Sequence, residues 1–369
     1  MICMDHGATS FPKPPAVRQA VEEALRTCGN PGRGGYAAAG KADRLVFLCR
    51  EEAAELFGCR PEQVAFTLNC THALNIAIRD VVRKGMKVAV SGFEHNAVLR
   101  PLHAIGAEII ICGRRLFDRE DTLNAFRKAL SEGAEAVVCT HVSNVFGYVL
   151  PLEEIAALCR QRDIPLIVDA AQSAGTLPLS LDSLGAAYVA MPGHKGLLGP
   201  QGTGLLLCGK VPEPLLYGGT GTASREREMP PELPERLEAG TLNVPGIAGL
   251  RAGLRLVKEM GPGNILFRER QAAHAAVKML ERRGFRVFHG ENQGGTVSFL
   301  PGYGCEEAAD ILARKGIAVR AGLHCAPLAH ESAGTLNTGT VRLSFGWNTQ
   351  ARHLQVLQKE LGSLSRIGS

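Results

Sequence analysis

The sequence lacks the features that several classes of protein require. No Cys-x-x-Cys pair occurs among its eleven cysteines, so no zinc or iron–sulfur cage built from local spacing is expected and no metal is assigned. No stretch approaches the roughly eighteen uninterrupted apolar residues of a membrane span. Basic runs are also missing: 41 Lys and Arg against 36 Asp and Glu give a net charge of +5 spread along the chain, which argues against a nucleic-acid or membrane-surface partner. The opening MICMDHGATSFPKP has no basic segment followed by an apolar run, hence neither a secretion signal nor a transit peptide. Neither a repeat of fixed period nor a low-complexity tract is present. A cytoplasmic protein with reduced cysteines is the expectation, and their odd count agrees. Most, such as Cys49, Cys112 and Cys139, lie in apolar runs and read as small core residues.

What is present is a balanced composition. The 369 residues, 45% hydrophobic and 21% charged, suit two packed units or one large α/β domain. From about residue 15 to 208, short apolar runs at 87–90, 108–111, 136–139, 166–168 and 188–190 alternate with amphipathic stretches at 42–57, 119–130 and 152–162. The runs read as buried strands and the stretches as crossover helices, which together predict an α/β fold with a mostly parallel sheet flanked by helices. Residues 218–245 have no apolar period and read as an ordered loop or a domain connection. Helical segments at 246–260 and 264–283 follow, then strands at 286–288, 296–300, 318–320 and 340–344 and a closing helix near 349–361, which is the pattern of a smaller α+β C-terminal domain. The predicted division is a large domain over 15–245 and a small domain made of 1–14 and 246–369.

Ligands of open α/β sheets sit beyond the carboxyl ends of the strands. Asp169-Ala170-Ala171-Gln172 and Pro192-Gly193-His194-Lys195-Gly196 each begin where a predicted strand ends. A carboxylate and an amine so placed are what pyridoxal-phosphate (PLP) chemistry needs: the amine condenses with the cofactor, and the carboxylate keeps the pyridine nitrogen protonated. Singly, Lys195 reads as a solvated loop lysine and Asp169 as a helix cap. Together they favour the cofactor.

Seven ordered segments then carry a resemblance: Thr71-His72-Ala73-Leu74-Asn75, Glu94-His95-Asn96, His141-Val142-Ser143-Asn144, Asp169-Ala170-Ala171-Gln172, Gly193-His194-Lys195, Glu238-Ala239-Gly240-Thr241 and Arg320-Ala321-Gly322-Leu323-His324-Cys325. Over essentially its whole length the chain resembles the class V, fold-type I PLP enzymes, and within them the cysteine desulfurases and selenocysteine lyases. The resemblance implies that Lys195 holds PLP and Asp169 pairs with its ring nitrogen. Gln172 and Asn144 would face the ring hydroxyl, and His95 would stack on the ring. Cys70, Thr71 and His194 would hold the phosphate, the first two at a helix N-terminus. Gly240 and Thr241 would reach the phosphate of a partner subunit, making a homodimer with shared sites; an ordinary turn is the plainer reading of that pair.

Arg342, an arginine in an apolar strand, would grip the substrate carboxylate, with an internal ion pair as the alternative. Arg320, Asn144 and Tyr36, the last in the segment 32–36, complete the expected substrate contacts. Cys325, beside His324 and after Arg320, has cationic neighbours that favour thiolate, and its spacing resembles the short-loop desulfurase type in which this cysteine accepts sulfur. The implied reaction converts L-cysteine to L-alanine with a persulfide on Cys325, and L-selenocysteine is a related substrate; a sulfur-acceptor protein would be the further partner. A C–S β-lyase or aminotransferase on the same scaffold, and a carrier that holds PLP or a persulfide without turnover, are the competing readings. Two positions depart from the family. Pro192 stands where a phosphate-binding Ser or Thr is usual, and His72 where Glu is frequent, so a weaker phosphate grip is expected.

Overall fold

The computed structural model describes residues 1–32, 34–222 and 224–364. Arg33, inside the 32–36 segment, and Ala223, inside the 218–245 loop, lie outside the described residues. The chain starts with a short strand β1 (Ile2–Cys3) and helices α1 (Pro15–Thr27) and α2 (Ala37–Leu56). Strand–helix alternation follows: β2 (Val64–Thr67), α3 (Cys70–Val81), β3 (Lys87–Ser91), α4 (Asn96–Ile105), β4 (Glu108–Cys112), α5 (Arg119–Ser131), β5 (Ala136–Thr140), α6 (Leu152–Arg160), β6 (Leu166–Asp169), α7 (Leu181–Leu184), β7 (Tyr188–Pro192) and β8 (Gly204–Cys208).

These strands form one seven-stranded sheet in the order β2-β8-β7-β6-β5-β3-β4. Five neighbours, β7, β6, β5, β3 and β4, run parallel, while β8 runs against both β7 and β2. The fold class is the one the alternation predicts, because continuous apolar runs such as Ala136–Thr140 can be buried on both faces only beneath helices. The parallel run gives β5, β6 and β7 a common carboxyl edge ending at Thr140, Asp169 and Pro192.

The rest of the chain comprises α8 (Val244–Met260), α9 (Pro262–Glu281), β9 (Arg286–Phe288), β10 (Thr296–Leu300), α10 (Cys305–Arg314), β11 (Ile317–Ala318), β12 (Arg320–Gly322), α11 (Pro327–Ala333), β13 (Thr340–Ser344) and α12 (Ala351–Leu364). An antiparallel sheet, β12-β13-β10-β9, packs on α9, α10 and α12 around Val297, Phe299, Val341 and Leu343. Met4 enters this core, and β1 pairs with β11. The sequence places the division at 245, just inside α8. Helix α8 packs on α1 and α2, and its Val244, Ile247, Leu250 and Leu254 join the core of the large domain. By packing, α8 sides with the large domain. Among the described residues no helix is long and apolar enough to cross a membrane, and no cluster of three or more His, Cys, Asp or Glu could hold a metal.

Candidate active site

The carboxyl edge of the sheet brings Asp169 and Lys195 to one cavity of about 110 Å³, shared with Cys70, Thr71, His95, Asn144, Gln172, Pro192 and His194. Asp169 is buried, and its Oδ1 accepts the Ala171 N–H at 2.9 Å and the Cys70 thiol at 3.5 Å. Oδ2 is thereby left for another donor. Burial and the neighbouring carboxylate hold the Cys70 thiol well above its ordinary range, so it stays protonated and able to donate.

Lys195 follows β7 in a turn whose glycines are there for close packing. A Cβ at Gly193 would run into the Thr203 side chain, and one at Gly196 into the Ala174 carbonyl. Burial pushes the Lys195 amine below its ordinary pKa, which favours the free amine needed to bond a carbonyl carbon. The preceding residue is tied down from the N-terminal segment. The His194 carbonyl accepts from Thr9 Oγ1 and Ser10 Oγ, each at 3.1 Å, and from Lys13 Nζ at 2.7 Å. The Lys13 amine is itself pushed down to about 8 by burial. No motif in the sequence marked Lys13, because its partner lies 181 positions away.

On the opposite wall, the Asn69 side chain caps α3 by accepting the His72 N–H at 2.9 Å. The N–H groups of Cys70 and Thr71 keep no partner among the described residues and open onto the cavity, a ready anion site. His95 caps α4: its Nδ1 accepts the Ala97 N–H at 3.0 Å, so the ring proton sits on Nε2. Burial lowers its pKa, and the imidazole is neutral. Glu94 locks the turn that carries it by accepting from Ser91 Oγ and the Thr140 N–H; burial pushes this carboxyl up to about 8.

Asn144 joins two parts of the site. Its Nδ2 donates to the His324 carbonyl at 2.8 Å, its own carbonyl accepts from Arg342 Nη1 at 2.9 Å, and its buried Oδ1 has no partner. Gln172 Nε2 donates to the Gly7 carbonyl at 3.1 Å. Arg342 is only 1% exposed and forms the ion pair that stood as the alternative reading, with Asp5. Its Nε nevertheless remains buried without an acceptor. Arg320 lies directly opposite it on β12.

Cys325 is the one exposed cysteine of the eleven. It lines an outer vestibule with Thr71, His95 and Ala97, and these same three residues also line the inner cavity. His324 and Cys325 both take left-handed backbone angles, φ 50° and 57°, a conformation that costs non-glycine residues about 1–3 kcal/mol each. Two hydrogen bonds hold it: the one from Asn144 to the His324 carbonyl, and the Asn96 N–H to the Cys325 carbonyl at 2.8 Å. The expectation that His324 is a cationic neighbour of Cys325 is overturned. Its ring turns inward to Thr340 Oγ1 and His330, and burial followed by Arg342 pushes its pKa down to about 2. Tyr36, expected near the substrate, is 56% exposed and lines neither space. Gly240 and Thr241 are likewise exposed and outside their own chain's cavity.

These groups fit PLP. A low-pKa amine, a carboxylate with a free oxygen, two unpaired helix N–H groups and the orphaned Asn144 Oδ1 face one cavity, which matches an aldehyde, a pyridinium, a phosphate and a ring hydroxyl. Pro192 borders it without a hydroxyl or N–H to give.

A family model for aminotransferase class-V matches residues 2–357. A probable cysteine desulfurase of Methanothermobacter thermautotrophicus is 32% identical over 98% of this chain and 94% of its own length. One from Pyrococcus abyssi is 31% identical over 94% and 89%. The apo structure of a cysteine desulfurase from Thermococcus onnurineus superposes with a TM-score of 0.91 at 29% identity, covering 99% of this chain and 94% of that one. The cysteine desulfurase CsdA of Escherichia coli gives 0.87 at 26%, with the same coverage.

Proposed function

This chain belongs to the class-V aminotransferase family, and from that premise we propose that it is a PLP-dependent cysteine desulfurase converting L-cysteine to L-alanine with a persulfide left on Cys325. The observation that carries the reading is the shared wall of the two spaces: Thr71, His95 and Ala97 line both the cavity that holds Lys195 and Asp169 and the vestibule that holds the exposed Cys325.

Bound PLP supplies an electron sink for charge developing beside the substrate's α-carbon. Lys195 would hold it, Asp169 Oδ2 would accept from its ring nitrogen, and Asn144 and Gln172 would address its hydroxyl. The Cys70 and Thr71 N–H groups and His194 would take its phosphate, while neutral His95 would cover its ring. The residues of the chain then act on the amino acid. Arg342, through its unpaired Nε, and Arg320 hold the carboxylate. Lys195, whose amine burial pushes below its ordinary pKa, takes the α-proton and returns a proton at Cβ. Cys325 Sγ attacks the substrate sulfur, the Cβ–S bond breaks with its electron pair going to Cβ, and alanine leaves while sulfur stays as Cys325–S–SH.

L-selenocysteine offers the same carboxylate and amine and is a second substrate. Gly240 and Thr241, exposed and outside their own cavity, complete the phosphate site of a second copy in a homodimer. The working compartment is the cytoplasm, where eleven free cysteines remain reduced. The test is a single turnover with cysteine followed by mass analysis: one alanine per site and 32 Da, about one sulfur, added to the peptide carrying Cys325 support the reading. Pyruvate in place of alanine overturns it.

A further inference from the structure

The vestibule outside Cys325 has a chemistry of its own. It is a cleft of about 350 Å³ between α3 and α4, a size suited to a small molecule rather than a protein domain. Each helix lines it with residues four apart: Thr71, Asn75 and Arg79 from α3, and Asn96, Arg100 and Ala104 from α4. That spacing keeps one face of each helix toward the cleft. No acidic side chain borders it, and among the described residues neither the Arg79 nor the Arg100 guanidinium has an ion-pair or hydrogen-bond partner. Two exposed cations with free donors thus stand over the one exposed thiol of the chain.

Resting on the desulfurase reading, we infer that this cleft binds a small anionic thiol that takes the sulfur from Cys325. The Asn96 N–H holds the Cys325 carbonyl, and Arg100 lies one helical turn beyond Asn96; Arg79 lies two turns beyond Thr71. At 1.5 Å rise per residue these offsets are about 6 and 12 Å. The ligand is therefore a thiol that also carries carboxylates for the two guanidiniums, as a short acidic peptide does. Its thiolate attacks the outer sulfur of Cys325–S–SH and forms a new S–S bond. The old S–S bond breaks, its electron pair returns to Cys325 Sγ, and the acceptor leaves as R–S–SH. The exchange is balanced and requires no external oxidant or reductant.

Two measurements on the full-length, cofactor-loaded protein test this with glutathione as the probe. S-methylglutathione, which fills the cleft without reacting, should slow alkylation of Cys325 by iodoacetamide at least threefold. Its diethyl ester should not, and the protection should vanish in an Arg79→Gln, Arg100→Gln double variant. Both substitutions are on exposed helix positions and keep good helix formers. Equal protection by the ester, or protection that survives the double variant, overturns the anion site. After one turnover with cysteine, glutathione should strip the Cys325 persulfide at least tenfold faster than its diethyl ester at equal thiolate concentration, and the ratio should fall toward one in the double variant. Equal rates, or a persulfide that yields only to protein thiols, overturn the acceptor role. Protection without any persulfide forming overturns the desulfurase reading, and the transfer step with it.

Discussion

Arg320 and Arg342 stand directly opposite one another across the β12–β13 pair, so their side chains leave the sheet on the same face. Among the described residues only Arg342 of the two has an acidic partner, Asp5, and even it keeps Nε unpaired. Like charges so placed repel by a few tenths to about 1 kcal/mol, and a bound carboxylate would reverse the sign. Arg320→Gln should therefore do two opposite things. The ligand-free protein should become slightly more stable, by about 0.5 kcal/mol in denaturant melts, while KM for cysteine rises about tenfold, the loss of one charge-assisted contact worth about 1.4 kcal/mol. A less stable variant with unchanged KM would remove Arg320 from the substrate site.

Much of this was legible in the chain itself, for identifiable reasons. Asp169 and Lys195 end parallel strands, and strand ends in such sheets are where ligands go, so position along the sequence sufficed to select them. The Asp5 partner of Arg342 was not legible, because it is 337 positions away and no local pattern links β1's flank to β13. His324 misled for another reason. Beside an exposed cysteine it reads as an exposed cation, but consecutive left-handed residues turn the two side chains to opposite environments, one to His330 and the other to the vestibule. The helix 244–260 reads equally well as the start of either domain, since amphipathicity reports that a face is covered and not by what.

Lys195→Ala should leave the fold intact and the cofactor loosely held. The loop around it is fixed by Gly193, Gly196 and the bonds to the His194 carbonyl, none of which uses the lysine side chain. Alanine formation should drop on the order of a thousandfold, as for loss of a positioned acid–base group. Borohydride treatment should fix no PLP to the chain. Stoichiometric borohydride-stable PLP in the variant would mean another lysine holds the cofactor.

Acid should unfold this protein early. His6, His141 and His330 are buried with pKa values pushed down to about 4, and His324 to about 2, in each case chiefly by burial. A histidine whose folded pKa is depressed binds fewer protons folded than unfolded, so stability falls as pH drops below the unfolded value of about 6.5. At pH 5 each such group costs on the order of 2 kcal/mol. The melting temperature should thus decline steeply between pH 7 and 5, with His330→Phe flattening part of the slope. A flat profile over that range would show the imidazoles to be reachable by water.

If Gly240 and Thr241 serve a second copy, two dead variants should rescue one another. Lys195→Ala lacks the amine, and Thr241→Ala combined with Gly240→Val lacks the loop; the valine is strained because Gly240 has φ 94°. In a mixed dimer one site has both lesions and the other neither. Coexpression should recover up to about a quarter of wild-type activity, half the dimers being hybrid with one good site each. Hybrids that form, as judged by tagged pull-down, and yet stay inactive would confine each site to one chain.

The role of Cys325 is decided by comparing two chalcogens. Removing sulfur from cysteine requires a nucleophile at the sulfur, and in this structure the exposed thiol is Cys325, which lines the vestibule beside the inner cavity in a turn held by Asn144 and Asn96. Selenium is the better leaving group and can depart without an attacking thiol. Cys325→Ala should therefore lose alanine formation from cysteine on the order of a hundredfold or more, the scale of a missing nucleophile, while alanine formation from selenocysteine falls only a fewfold. Steric damage cannot mimic this split, because both substrates share one carboxylate grip at Arg342 and one proton path at Lys195, and a collapsed vestibule would slow them together. The left-handed φ of 57° makes alanine there as strained as cysteine, so the loop should keep its shape. Steady-state alanine assays on both substrates give the answer: equal losses would make Cys325 a structural residue, and undiminished turnover of cysteine would move the sulfur acceptor elsewhere.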